Sequence, residues 1–393
     1  MHTFTRWESS YSTKRRKSPL RTAESLATLF EAFGPRVVDQ AMTDYSMLSR
    51  SPTPYCEVLA RNAEELSALV SHSKSLDVSL RIRGEGHSLN GSSLPRLGEL
   101  VVRGDALRHI RFDESGSVTA GGGGVVWDID RIVAERGFSL PVINDGFPGP
   151  SIGGYVAAGG FGASSRVAGG LWESVKRLVV VDGLSRIHEL TPADAVFPWI
   201  FGSMGQLGYI VEVTLMLNES DAPYPLGTTV SSTAAVSTDN APHTQAMREE
   251  PGLVWFTLFT SVAEAKAAGE ALMRLEKRYE RHAAFRPQYS YLIRHHAVVA
   301  PLIYPRCEDF IATGTWGLWA GSPNQYGGRV RAFESDLTKI ALIHKWRRYL
   351  QTEYVSSISR FREVLGAAYQ DFRILKRQLD PNGTWNPGSV IPA

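Results

Sequence analysis

Cysteine is almost missing from this chain. Cys56 and Cys307 are the only two in 393 residues, too few for a disulfide framework, and such sparse usage fits a reducing compartment. No stretch approaches the roughly 18 apolar residues that a membrane span needs, so the expectation is a cytoplasmic chain with no membrane partner. Charge of one sign is missing too. Lys and Arg number 42 against 40 Asp and Glu, and a net charge of +2 provides no footprint for nucleic acid. The single basic cluster, Lys14, Arg15, Arg16 and Lys17, reads as a solvated tail, and no apolar run follows it to make an export signal. No internal repeat or low-complexity tract is present.

Glycine is what the chain has in quantity, and much of it falls in a few loops. The first is "RIRGEGHSLNGSSLP", residues 81–95. Upstream, "EVLARNAEELSALVSHSKSLDVSL" reads as strand, helix, strand. Asn62 caps a helix with Glu64 and Glu65 in its first turn and Leu66, Leu69 and Val70 on its apolar face. The second strand of that unit runs straight into the glycine loop, where α/β folds place ligand sites. A strand, a "GGGG" turn and a helix follow in "SVTAGGGGVVWDIDRIVAERGF". Then come "PSIGGYVAAGGFG" at 150–162, the apolar strand "VKRLVVVDG", and "FGSMGQLGYIVEVTL" at 201–215.

Composition changes near Asn218, where a Ser, Thr, Pro and Ala-rich loop runs to about His243, and this marks a boundary. Beyond it, "LVWFTLFTS", "VAEAKAAGEALMRLEKRYER", "QYSYLIRHH" and "TGTWGLWAG" predict an antiparallel sheet covered by helices. The chain closes with an amphipathic helix and a Pro/Gly stop. The expected division is an N-terminal segment (1–50), a first domain (51–217), an inserted α+β cap (218–345) and a returning segment (346–393).

Glycine lets successive amides point at a phosphate without a Cβ in the way, and Ser88, Ser92 and Ser93 add short donors, so a pyrophosphate is the natural guest. Two common nucleotide sites are excluded. Leu89 stands where the third glycine of a Rossmann fingerprint is required, and no Gly-Lys-Ser/Thr follows any glycine loop.

Taken together, "RGEGHSLNG", "PSIGGYVAAGGFG", "VKRLVVVDG", "FGSMGQLGYIVEVTL" and the closing "LGAAYQDFRILKRQLDPNGTWNPG" resemble, in order, the FAD-linked oxidoreductases related to vanillyl-alcohol oxidase and p-cresol methylhydroxylase. The first loop is similar to that of cytokinin dehydrogenases and alditol oxidases. The resemblance covers residues 50–217 and 345–390. It implies an α+β fold: a two-part FAD-binding domain of the p-cresol methylhydroxylase type, interrupted by the cap. It also implies FAD bonded covalently through His87, whose neutral imidazole is a nucleophile. Arg83, Gly84, Glu85, Gly86, His87, Ser88 and Ser92 would surround the pyrophosphate, with Glu85 turned outward because a carboxylate beside a diphosphate is unfavourable. Ser151, Gly153, Gly154, Gly159 and Gly162 would complete the cradle, Ile210 and Val211 would face the adenine end through their backbones, and Asn386 would lie near the isoalloxazine.

Berberine-bridge-type enzymes carry a second flavin link through a cysteine, and Phe147 occupies that position here, so the resemblance implies one link only. Cytokinin dehydrogenases place an aspartate where this chain has Gly146, which leaves neighbouring Asp145 as a candidate base. The lysine of the decaprenyl-phosphoryl ribose oxidising enzymes is replaced by Gln351, Thr352 or Glu353. Tyr289 and Tyr291 alternate on one strand face and are further catalytic candidates. Trp316 and Trp319 could wall a substrate or fill a core, and His295 beside His296 is no metal signature. The expected activity is oxidation of an alcohol or amine in a small metabolite, with O2 as reoxidant. A dehydrogenase with another acceptor, a redox-neutral isomerase or cyclase in secondary metabolism, and a flavin-bearing binding protein remain open, as does the oligomeric state.

Overall fold

The computed structural model describes residues 21–113, 116–144, 146, 149–219, 252–319, 323–352 and 358–392. Near its start lie α1 (Ala23–Leu29), capped by the Thr22 side chain, and β1 (Arg36–Val38). β2 (Tyr55–Leu59), α2 (Ala63–Ser75) and β3 (Leu80–Arg83) form the expected unit. Asn62 Oδ1 accepts the Glu65 amide at 2.7 Å, and the Glu65 carboxylate accepts the Arg61 amide at 2.9 Å, satisfying donors a helix start leaves open. β4 (Leu100–Arg103) lies between β2 and β3 and is parallel to both, with β1 antiparallel on the outer edge. This sheet therefore takes a strand from the segment before residue 50. Its open edge, at β3, is covered by the end of the chain: Leu80 N–H donates to Thr384 O at 2.8 Å, and Asn386 N–H donates to Leu80 O at 2.9 Å.

The second sheet is antiparallel. It is made from β5 (Ile110–Phe112), β6 (Ser117–Gly121), β8 (Val175–Val181), β9 (Ile187–Leu190) and β10 (Tyr209–Met216), in the order β5-β6-β10-β8-β9; α3 (Val126–Ala134) and the short β7 (Phe138–Ser139) intervene in sequence. β7 pairs with β11 (Asn218–Glu219). The run Leu178–Val181 of β8 is apolar throughout because both faces of the strand are covered there. Leu178 and Val180 enter one core, and Val179 and Val181 enter the other, with α2 and the first sheet.

A third sheet holds β12 (Leu253–Ser261), β13 (Ala283–Phe285), β14 (Tyr289–Ile293), β15 (Phe310–Trp319) and β16 (Arg347–Arg348). β15 pairs with β12, β13 and β14, and β16 pairs with β12, so this sheet continues past residue 345. Period-2 alternation sorts β12. Val254, Phe256 and Leu258 pack with Leu272, Leu275, Phe333 and Leu337 from the helices Ala265–Tyr279 and Pro323–His344, while Phe259 joins the core of the second sheet. Trp316 stacks on Trp255, and Trp319 is fully buried beneath those helices. Asp145 and Phe147 lie outside the described residues, as do Glu353 and nearly all of the loop expected from Asn218 to His243.

Candidate functional site

β3 ends at Arg83, and the chain then turns through Gly86 (φ 76°) and Gly91 (φ 73°), conformations that glycine adopts without strain. The amides of Glu85, Gly86, His87 and Ser88 meet no acceptor among the described residues. Four successive unpaired donors with adjacent serine hydroxyls are suited to an anion. Glu85 is turned away: its carboxylate accepts from Arg108 at 2.5 Å. Arg81 holds the loop from beneath. Its buried guanidinium grips Glu99 through two bonds of 2.9 and 2.8 Å and donates to the carbonyls of Ser92 and Pro387 at 3.1 Å each.

Gly84, Gly104, Gly122, Gly123 and Gly153 form the floor. A Cβ on Gly84 would strike Ser151 Oγ, and one on Gly123 would strike the Gly104 carbonyl. The chain around Gly84, Gly104, Gly122–Gly123 and Ser151–Gly153 thus converges more closely than further side chains would allow. Ser151 caps α4 (Ile152–Ala158), accepting from Gly154 N–H at 3.3 Å. Asn386 ties the first of these segments to the loop at Met204, accepting from Ile82 N–H at 2.7 Å and donating to Met204 O at 2.9 Å. Lys376 and Asp380, both buried and 2.6 Å apart, anchor the turn that carries Asn386.

Together these segments line one side of a cleft of about 1,430 Å³, counting its open mouth. The opposite wall comes from the third sheet and the residues after it: Trp255, Thr257, Tyr291, Tyr349, Gln351 and Thr352, with Phe161 from below. Glu85 is the one formally charged residue among the described lining, because burial pushes His87 down to about 4 and keeps the imidazole neutral. Tyr349 is buried, and desolvation holds its phenol far above the ordinary range, so it stays neutral.

The expected site residues divide. Gly84, Glu85, Gly86, His87, Ser88, Ser92, Ser151, Gly153, Gly154, Ile210, Tyr291 and Asn386 all line the cleft. Arg83 does not: its guanidinium turns back to Thr43 O at 2.8 Å and Ser93 Oγ at 3.3 Å. Gly159 packs against Ile303, Gly162 against the Ile143 carbonyl, and the Val211 side chain enters the core beneath the first sheet, its carbonyl taken by Gly122 N–H at 2.7 Å. Tyr289 lies one layer back. Its hydroxyl bonds Trp255 Nε1 and Thr257 Oγ1 at 2.5 Å each, so it braces two lining residues. His295 and His296 follow β14 instead of alternating within it, and both face Glu173.

Sequence reasoning passed over Thr43–Leu48. Asp44 accepts from Gly91 N–H and Ser46 Oγ, both at 2.6 Å, and Tyr45 stacks on His87. No local pattern marks these residues, since their partners in the loop, Gly91 and His87, lie more than forty positions away.

Residues 54–191 match the model of an FAD binding domain. This part of the chain is an FAD-binding domain like that of the FAD-linked oxidoreductases related to vanillyl-alcohol oxidase and p-cresol methylhydroxylase. Similar proteins include an oxidoreductase of the fasciation locus of Rhodococcoides fascians, 30% identical over 179 residues, 44% of this chain and 40% of that protein. The FAD-linked oxidoreductase YvdP of Bacillus subtilis is 24% identical over 195 residues, 47% of this chain and 43% of the relative. Berberine bridge enzyme-like 1 of Arabidopsis thaliana is 27% identical over 206 residues, 49% and 37% respectively. Each match thus spans less than half of the relative.

The family's cofactor agrees with the donor set. Free amides of the His87 loop, serine hydroxyls and a glycine floor fit a dinucleotide diphosphate, and no described residue puts an unpaired negative charge there. The fold is of the p-cresol methylhydroxylase type, with α-helices and largely antiparallel sheets.

Proposed function

We propose that this chain is an FAD-dependent oxidase of a small, uncharged alcohol or amine, with the flavin bonded to His87 and reoxidised by O2. In this reading the third sheet is the cap, and the chain divides into an FAD-binding part and a cap near residue 218, with a return to the first part after about residue 352. The observation that carries it is the cleft itself: an anion-binding glycine loop at one end and an uncharged wall of Trp255, Tyr291, Tyr349 and Thr257 at the other. Bound FAD supplies a hydride acceptor.

The protein's own groups then have distinct tasks. The His87 loop and the glycine floor hold the diphosphate. Aromatic rings of the cap desolvate and orient an apolar or ring-bearing substrate. Tyr349, a neutral phenol, donates to the substrate's oxygen or nitrogen and fixes the reacting carbon. Tyr289 keeps Trp255 and Thr257 in place, and Asp145 is retained as the candidate proton acceptor.

Anaerobic mixing with a panel of aryl and alkyl alcohols and amines tests this. At least one should bleach the visible flavin absorption, and admitting O2 should restore the colour with formation of H2O2. Bleaching by no alcohol and no amine would contradict the substrate class. Bleaching without H2O2 on reoxidation would indicate a dehydrogenase, and product formation without consumption of an acceptor would indicate an isomerase or cyclase.

A further inference from the structure

The segment Thr43–Leu48 lies across the His87 loop and ties it to the third sheet. On the loop side, Arg83 Nη2 donates to Thr43 O at 2.8 Å, Gly91 N–H donates to Asp44 Oδ2 at 2.6 Å, and Tyr45 N–H reaches the carbonyls of Gly86 and Ser88 at 2.8 and 3.1 Å. On the other side, the Ser46 carbonyl accepts from Leu253 N–H, at the start of β12, at 2.9 Å. Held in this way, the Tyr45 ring lies on the His87 imidazole with centroids 4.4 Å apart and 19° between planes. Gln351 Nε2 donates to the His87 carbonyl at 3.1 Å, so the backbone of this residue is held as well. Among the described residues, no side chain or carbonyl bonds either nitrogen of the His87 ring. Among the described residues, the Tyr45 stack is the ring-on-ring contact that the imidazole makes.

We propose that Tyr45 is a positioning residue for His87: its ring holds the imidazole plane at the cleft wall and shields it from water, leaving a neutral nitrogen free to bond the flavin. This rests on the reading of His87 as the flavin link. Attachment replaces the imidazole N–H and one C–H of the flavin 8α-methyl group by a C–N bond. The two electrons and two protons released pass through the flavin to O2, giving H2O2. Tyr45 itself forms and breaks no bond. Its contribution is the ring face, so the hydroxyl is dispensable.

The test uses the full chain produced under riboflavin limitation, mixed with FAD, with flavin that survives acid precipitation followed over time. Tyr45→Phe keeps the face and should attach FAD within roughly twofold of the wild-type rate, whereas Tyr45→Leu should be slower by roughly tenfold, the scale of a lost ring-on-ring contact. Non-covalent FAD uptake, read by quenching of flavin fluorescence, should differ little between them. Tyr45→Met gives a second ring-free replacement if the leucine variant does not fold. Wild-type attachment rates in both ring-free variants, or a phenylalanine variant as slow as leucine, would overturn the proposal. Wild-type protein that takes up FAD but never holds it through acid would overturn it together with the His87 link, leaving the FAD site intact. Failure to take up FAD at all would overturn the site itself.

Discussion

Asp44 accepts the Gly91 amide at 2.6 Å at the end of the loop that carries His87, which places a buried carboxyl and a half-buried imidazole near opposite ends of one short turn. Burial shifts both toward their neutral forms. Asp44 is pushed up to about 6, despite bonds from Ser46 and Gly91 that pull it down, and His87 is pushed down to about 4.

These shifts oppose each other in their effect on stability. Between about pH 4 and 6 the folded state keeps a proton on Asp44 that the unfolded chain releases, so this group makes stability fall as pH rises. Over nearly the same window the unfolded chain protonates His87 and the folded state does not, so that group makes stability rise with pH. In flavin-free protein the two largely cancel. Denaturant melts from pH 4 to 7 should show a nearly flat wild type, an Asp44→Asn variant that gains stability with pH, and a His87→Asn variant that loses it. Each trend has a ceiling of about 3 kcal/mol. Parallel curves for all three proteins would contradict the assignment.

Arg81 and Glu99 form a bidentate pair that is almost fully buried. Removing one partner strands the other charge, so Arg81→Met or Glu99→Gln should cost about 3–5 kcal/mol in a urea melt. Because Arg81 also holds Ser92 and Pro387, the arginine variant should lose FAD affinity beyond what its stability change explains.

Glu85 faces Arg108 and not the anion-binding amides. Glu85→Gln should therefore bind FAD within roughly threefold of wild type, the scale of an exposed ion pair. A larger gain in affinity would show that the carboxylate faces the diphosphate after all.

Tyr349→Phe retains the ring that packs against Phe161 and Phe259 and removes only the hydroxyl. Flavin content and melting should be unchanged, while kcat/KM should fall about tenfold, the value of one lost hydrogen bond to substrate. Tyr289→Phe should do the reverse. It leaves Trp255 Nε1 and Thr257 Oγ1 without their partner and should cost about 1–3 kcal/mol in stability, measured by denaturant melt.

Much of the architecture was legible because it depends on local pattern. Asn62 with Leu66, Leu69 and Val70 announces α2, and the run Leu178–Val181 announces a strand covered on both faces. The His87 loop was legible because its glycines have a backbone purpose. Elsewhere glycine misled. A close approach at Gly159 or Gly162 serves Ile303 or the Ile143 backbone, and sequence does not say whether protein or ligand comes near. At Val211 the backbone carbonyl accepts from Gly122 N–H, and the residue does not line the cleft. Tyr289 and Tyr291 were read as equals, yet Tyr289 lies over Gly314 and is bonded by Trp255 and Thr257, a tertiary fact with no sequence period. Asp44 and Tyr45 were invisible for the same reason.

The most direct measurement is to precipitate the purified protein with acid, digest the pellet and weigh the peptide containing His87. The account predicts a yellow pellet and a flavin-mass adduct on that histidine, absent in His87→Asn. A colourless pellet with free FAD in the supernatant would remove the covalent link and keep the site, and protein that binds no flavin even after reconstitution would contradict the account at its centre.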